Sequence, residues 1–287
     1  MLSIKNFGNL PKENSTLATA KIVILPVPYD GTSTWLKGAD QGPAALIEAS
    51  VHLEKYDIET DSEVYKQNIF TAKAVGKRGA PEKMIAEVER TVGEFLTKDK
   101  FVVTIGGEHS VTIGAVRAYR KKYENLSVLQ LDAHADLQPE YHGSKYNHGC
   151  VMARVAEICP IVQVGIRSLD IKEKPFLKTD RVFFAQDIHN KTAWMEKAIG
   201  KLTEQVYITI DLDAFDPSIL PSTGTPEPGG LGWYQVLAFL KKVSQEKEIV
   251  GFDVVELCPN KNAKSSDFTA AKLIYKLLSY KFENKVS

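Results

Sequence analysis

Asp132, His134 and Asp136 stand at alternate positions in the pentapeptide Asp-Ala-His-Ala-Asp. They follow the apolar run 127–131 (SVLQL), which predicts a buried strand. In an extended segment, residues i, i+2 and i+4 point to one side, so two carboxylates and an imidazole would converge where strand meets loop. The same event recurs twice. Residues 101–105 (FVVTI) run into Gly106-Gly107-Glu108-His109, and residues 206–210 (VYITI) run into Asp211-Leu212-Asp213. Three strand ends thus deliver four aspartates and two histidines, enough nitrogen and oxygen ligands for two divalent metals.

Each element alone has an ordinary structural explanation. A lone Asp-x-Asp is common in turns, a Gly-Gly pair usually makes a tight turn, and an isolated histidine such as His52 or His189 is usually a surface residue. Together the four carboxylates would repel and raise one another's pKa unless a cation lay between them. Carboxylate-dominated ligation with some imidazole favours Mn²⁺ or Mg²⁺, while imidazole also admits Zn²⁺, Fe²⁺, Co²⁺ and Ni²⁺. Two such ions about 3.5–4 Å apart can share and ionise one water at neutral pH. The expected reaction is attack of that hydroxide on an electrophilic carbon or phosphorus.

Eight short apolar runs would position these ligands: 21–25, 68–72, 101–105, 127–131, 161–165, 182–185, 206–211 and 249–255. Most are near-continuously apolar, as strands buried on both faces are. Helical character fills the intervals at 43–52, 81–98, 110–123, 149–158, 193–204, 233–246 and 264–284. This alternation predicts parallel βαβ units with right-handed crossovers. It fits an eight-strand barrel and an open sheet equally. With no internal repeat or flexible linker, residues 1–287 read as a single domain. The Pro- and Gly-dense stretch 216–230 follows a ligand-bearing strand, where active-site loops of α/β folds lie.

Bulk composition excludes several classes. Of 287 residues, 44% are hydrophobic and 25% charged, as in an ordinary soluble domain. Lys+Arg and Asp+Glu are both 36, so nothing points to nucleic acid. Cys150, Cys159 and Cys258 form neither a disulfide framework nor a CxxC metal site. The N-terminal stretch lacks an apolar signal core, and no apolar run approaches the roughly 20 residues of a membrane span. No membrane partner and a cytoplasmic location are the expectations.

Three segments together resemble the ureohydrolase family, which includes arginases, agmatinases and formiminoglutamases. They are Ile105-Gly-Gly-Glu-His109-Ser-Val-Thr, Val128-Leu-Gln-Leu-Asp132-Ala-His134-Ala-Asp136, and Ile208-Thr-Ile-Asp211-Leu-Asp213 continuing through Pro217 and Pro221 to Gly230. The resemblance extends to Pro28–Gly31, Val164–Ser168 and Asp253–Glu256. It implies a three-layer α/β/α fold around an eight-stranded parallel sheet and two Mn²⁺ per subunit. By position, it implies that His109, Asp136 and Asp211 hold one ion. Asp132 bridges, His134 and Asp213 complete the second, and Asp211 bridges as well. Glu256 matches the family's glutamate for the substrate guanidinium, a group that can donate two parallel hydrogen bonds to a carboxylate. His148 matches its histidine near the substrate, suited to shuttle a proton to the leaving amine. Asp136 would hold a proton of the hydroxide. The implied partner is a small cationic guanidino substrate, and the implied assembly a homo-oligomer, trimer or hexamer.

Within the family, Gln138 stands where arginases carry an asparagine for the amino acid end. The run 132–146, the following His148–Met152, Tyr29–Thr32 and 223–230 look more like agmatinases. The expected reaction is therefore agmatine plus water to putrescine and urea, a step in polyamine synthesis. N1-aminopropylagmatine, guanidinobutyrate, formiminoglutamate and arginine are rivals, as is a non-catalytic member. Glu140 and Glu227 are candidates for gripping a distal amine. His142 reads as surface and Cys150 as packing. The segment after Glu256 departs from the agmatinase pattern at Pro259-Asn260-Lys261.

Overall fold

The computed structural model describes residues 6–76 and 79–283. Among these, eight strands form one sheet: β1 (Ile22–Val27), β2 (Ile69–Thr71), β3 (Phe101–Gly106), β4 (Leu126–Leu131), β5 (Ile161–Ile166), β6 (Val182–Phe184), β7 (Gln205–Asp211) and β8 (Glu248–Val255). Every pairing is parallel, in the order β2-β1-β3-β8-β7-β4-β5-β6. The short strands β2 and β6 are the two edges, so the sheet is open and not a barrel. All eight apolar runs of the sequence are strands, displaced by one or two residues at their ends.

The apolar runs are continuous because both faces are covered. Along β1, Ile22 and Ile24 enter one apolar cluster while Val23, Leu25 and Val27 enter another. The first cluster lies under α1 (Gly42–Ser50), α6 (Trp194–Ile199), α7 (Trp233–Glu246) and α8 (Ser265–Lys281). The second lies under α2 (Pro81–Leu96), α3 (Val111–Lys122) and α4 (Val151–Ala156). The result is the three-layer α/β/α arrangement. Two helical stretches are shorter than the sequence suggests. The 149–158 stretch opens with a 3-10 turn at His148–Cys150, and 193–204 is helical only to Ile199. A single turn, α5 (Ala185–Ile188), follows β6 without a periodic signal of its own. None of the described helices is long and apolar enough to cross a membrane.

The four central strands β3, β8, β7 and β4 carry the candidate site residues at their C-terminal ends. The chain leaves β3 for β4, and β7 and β8 later fill the space between them. A crevice at such a reversal of strand order is where open α/β sheets bind ligands.

Gly107 shows how tightly this edge is built. A Cβ there would lie 2.0 Å from the Tyr29 carbonyl oxygen, with no flexible side chain to yield. The close approach lets Gly107 N donate to Val27 O and Glu108 N donate to Tyr29 O, each at 2.8 Å. Gly107→Ala is expected to cost about 3 kcal/mol or more, through backbone displacement and overpacking. Chemical denaturation of the variant measures this, and an unchanged midpoint would refute it.

Candidate active site

The loops leaving the central strands set the site. His109 comes two residues after the Gly107 contact, just ahead of α3. Glu256 follows β8, and its N donates to Gly107 O at 2.8 Å, which ties the two strand ends together. Its Oε1 in turn accepts from His109 N at 2.7 Å. Asp211 ends β7 and its carboxylate accepts from Asp213 N at 2.9 Å, capping the turn Leu212–Ala214. Asp213 Oδ1 accepts from Ala133 N at 3.0 Å, joining the β7 and β4 loops.

The Asp132–Asp136 pentapeptide corrects the simple alternation argument. Pairing of β4 ends at Leu131, and His134 forms an isolated bridge with Ser168. Asp136 sits at φ 52 and Glu256 at φ 65, both in the left-handed region that non-glycine residues avoid. A turn, and not a continued strand, aims Asp136. Such outliers persist where the surroundings over-determine them, commonly at functional sites.

The six side chains converge. His109 Nδ1 lies 3.2 Å from Asp132 Oδ2, 3.0 Å from Asp136 Oδ2 and 3.5 Å from Asp211 Oδ2. His134 Nδ1 lies 3.0 Å from Asp213 Oδ2 and 3.6 Å from Asp132 Oδ1. Among the described residues, two groups have ligand atoms within 4.8 Å of one another: His109, Asp132, Asp211 and Asp132, His134, Asp213. Asp132 belongs to both.

A ring of buried polar residues, unforeseen from the sequence, holds the ligands. His109 Nε2 lies 2.9 Å from Thr209 Oγ1, which donates to Asp253 Oδ1 at 2.6 Å. Asp253 also accepts from Thr112 at 2.9 Å and Tyr207 at 2.7 Å. With its proton committed to Asp253, Thr209 accepts from His109 Nε2–H. The Nδ1 lone pair is then left facing carboxylate oxygens, and this buried atom has no hydrogen-bond partner among the described residues. An acceptor aimed at acceptors requires a cation, and this donor set fits a divalent metal. On the other side, Gln163 donates to Gln130 Oε1 at 2.6 Å, and Gln130 donates to Asp132 Oδ2 at 2.7 Å. The available signal was a polar residue inside an otherwise apolar strand, as at Gln130, Gln163, Thr209 and Asp253.

Electrostatics agree with that need. Burial and the neighbouring carboxylates of Asp213 and Asp132 push Asp211 well above the carboxyl range. Burial and Asp132 raise Asp136 to about 7. Burial lowers the histidines, but the acids overcome it: the Asp213 charge and the Asp132 contact bring His134 to about 12, and Asp132 and Asp136 raise His109. Asp132 moves down because the two histidines beside it outweigh its burial. The cluster therefore favours positive charge among its carboxylates.

A cavity of about 220 Å³ opens over this floor. His109, His134, Asp136, Asp211, Asp213, Glu256 and His148 all line it. Gln138 and Tyr141 add polar wall, and Gly224 and Thr225 bring in the 216–230 loop. Its mouth carries Trp35 and Leu36 from one loop and Leu169 and Asp170 from another. Burial lowers His148 to about 4, so it is neutral at pH 7, below the value near 6.5 that suits a proton shuttle. Glu140 is exposed and is not among the lining residues, while Glu227 Oε1 lies 3.9 Å from His134 Nε2. His142 is exposed, and the buried Cys150 thiol is pushed up to about 11 by burial, as suits an inert packing residue.

Comparison with known proteins places this geometry. The arginase family profile matches residues 20–279. An N(1)-aminopropylagmatine ureohydrolase of Synechocystis sp. is 39% identical over 93% of this chain and 90% of its own. An agmatinase of Pyrococcus horikoshii is 34% identical over 89% and 90%. The crystal structure of the agmatine ureohydrolase of Thermoplasma volcanium superposes with TM-score 0.85 at 29% identity, covering 99% of this chain and 96% of that one.

Metal binding should compete with protons here. Asp136, raised to about 7, contributes stability to the metal-free protein that is complete below the unfolded carboxyl value and lost as pH rises through about 7. Divalent metal added near neutral pH should release protons, and its stabilising effect should be larger at about pH 8 than at about pH 6. Calorimetry in buffers of differing ionisation enthalpy reads the release. Uptake of protons, or the same response in Asp132→Asn, would contradict the assignment.

Proposed function

Because this chain belongs to the arginase family and is a ureohydrolase, we propose that it acts on a linear guanidino polyamine, N1-aminopropylagmatine. The observation that carries the reaction is geometric: two ligand groups sharing Asp132 form the floor of a cavity that also exposes Glu256. The substrate is favoured by the relative bearing that name, which is more similar at 39% than the agmatinase at 34%. Agmatine is the second reading, supported by the agmatinase-like run 132–146 and by the Thermoplasma neighbour. The two substrates share the reacting guanidinium and differ in an aminopropyl arm.

His109, Asp136 and Asp211 would hold one metal ion and His134 and Asp213 the other, with Asp132 between them and Asp211 reaching both. Ligand type favours Mn²⁺. When bound, the ions supply charge neutralisation and acidification of water. Glu256 would pair with the guanidinium and turn its carbon toward the floor. A C–O bond forms at that carbon and the C–N bond to the polyamine breaks, leaving urea. Asp136 would hold a proton of the attacking water. His148, neutral at rest, takes a proton and passes it to the departing amine. At the mouth, Trp35, Leu36 and Leu169 offer apolar wall to methylenes, and Asp170 a carboxylate to an ammonium. This reading makes the protein a cytoplasmic, homo-oligomeric enzyme of polyamine synthesis.

The test is urea release from Mn²⁺-loaded protein over N1-aminopropylagmatine, agmatine, guanidinobutyrate and arginine. N1-aminopropylagmatine should lead in kcat/KM by about tenfold, and Asp132→Ala should abolish release. Trp35→Ala should cost the longer substrate more than agmatine. Preference for agmatine would move the assignment to the second reading, and preference for arginine would refute the polyamine class.

A further inference from the structure

One hydroxyl in the N-terminal loop joins two residues that the active site needs. Thr32 Oγ1 lies between His148 and Glu108, residues distant in sequence. It donates to Glu108 Oε1 at 3.0 Å. It accepts from His148 N at 2.9 Å and lies 3.4 Å from His148 Nδ1. Glu108 is fully buried and receives only donors: Ser110 Oγ reaches Oε1 and Ser110 N reaches Oε2, each at 2.8 Å.

A hydroxyl has one proton and two lone pairs. The Thr32 proton is committed to the Glu108 carboxylate, and one lone pair to the His148 amide. The remaining lone pair faces His148 Nδ1. If that nitrogen were bare, two acceptors would oppose each other, so Nδ1 carries the proton. The free lone pair is then on Nε2, at the opposite edge of a ring that lines the cavity. We infer that Thr32, backed by Glu108, is the positioning residue that fixes the His148 tautomer and makes Nε2 the nitrogen that exchanges protons during turnover. When Nε2 is protonated, the Nδ1–H···Oγ–H···Oε1 chain aligns its dipoles toward the imidazolium and ends on the Glu108 carboxyl group. The inference rests on the role given to His148 above.

Thr32→Val removes the hydroxyl at nearly constant shape, and Thr32→Ser restores it. Side-chain ¹⁵N NMR of the full chain, loaded with diamagnetic Mg²⁺, reads the His148 tautomer, with His148→Gln supplying the assignment. The expected wild-type signal is Nδ1–H. Thr32→Val should yield a tautomer mixture and lower kcat by about tenfold with KM within about twofold, and Thr32→Ser should recover both. A wild-type Nε2–H tautomer, an unchanged tautomer in Thr32→Val, or a serine variant as impaired as the valine would overturn the inference. Should His148→Gln retain full urea release, the role of His148 itself falls, and the positioning inference with it. Loss of the NMR effect alone leaves that role standing.

Discussion

Four carboxylates held out of water within a few ångströms of one another are the constraint to which the centre of this structure answers. Buried like charges are costly, and the cost is met here by opposite charge and by directed donors. Asp132 receives Gln130 and the His134 amide, Asp211 the Asp213 amide, and Asp213 the Ala133 amide. Each carboxylate keeps lone pairs that these donors do not fill, and they face the His109 and His134 nitrogens. Neighbouring donors thus orient these candidate ligands.

The parallel sheet makes this possible. All eight strands run the same way, so their C-terminal ends and loops collect on one edge. Placing β8 and β7 between β3 and β4 brings loops from residues near 108, 134, 212 and 256 into one crevice. Both faces of the sheet are covered by helices, which leaves that edge as the place where polar side chains can meet solvent and substrate. Four of the polar residues that enter the strand interior, Gln130, Gln163, Thr209 and Asp253, form hydrogen-bond networks that lead to a ligand. Their burial is tolerated because each is partnered.

Rigidity at the floor contrasts with openness at the mouth. Asp136 and Glu256 hold left-handed backbone conformations that only a fixed surrounding can maintain. The mouth instead exposes Trp35 and Leu36 on a loop anchored at one end by Asp30, whose Oδ2 accepts from Gly38 N at 2.7 Å. The loops bearing Trp35 and Asp170 stand above the floor and line the mouth of the cavity.

The sequence by itself determined the strands and brought out the candidate ligand residues. Strands buried on both faces are largely apolar, and Asp and His clustered at their ends stand out from them, so both leave local marks. The tertiary structure alone decided the rest. Whether the sheet closed was invisible to strand spacing, because barrel and open sheet use the same βαβ unit. The turn at Asp136 broke the extended alternation that the pentapeptide suggested, since β4 loses its pairing partner after Leu131. Depression of the His148 pKa to about 4 came from burial. The contacts of Thr32 with Glu108 and His148 came from loops far apart in sequence that the strand order brings together. Local chemistry is written in residue type and spacing, whereas proton affinity and hydrogen-bond partnership depend on what the folded chain packs against each group.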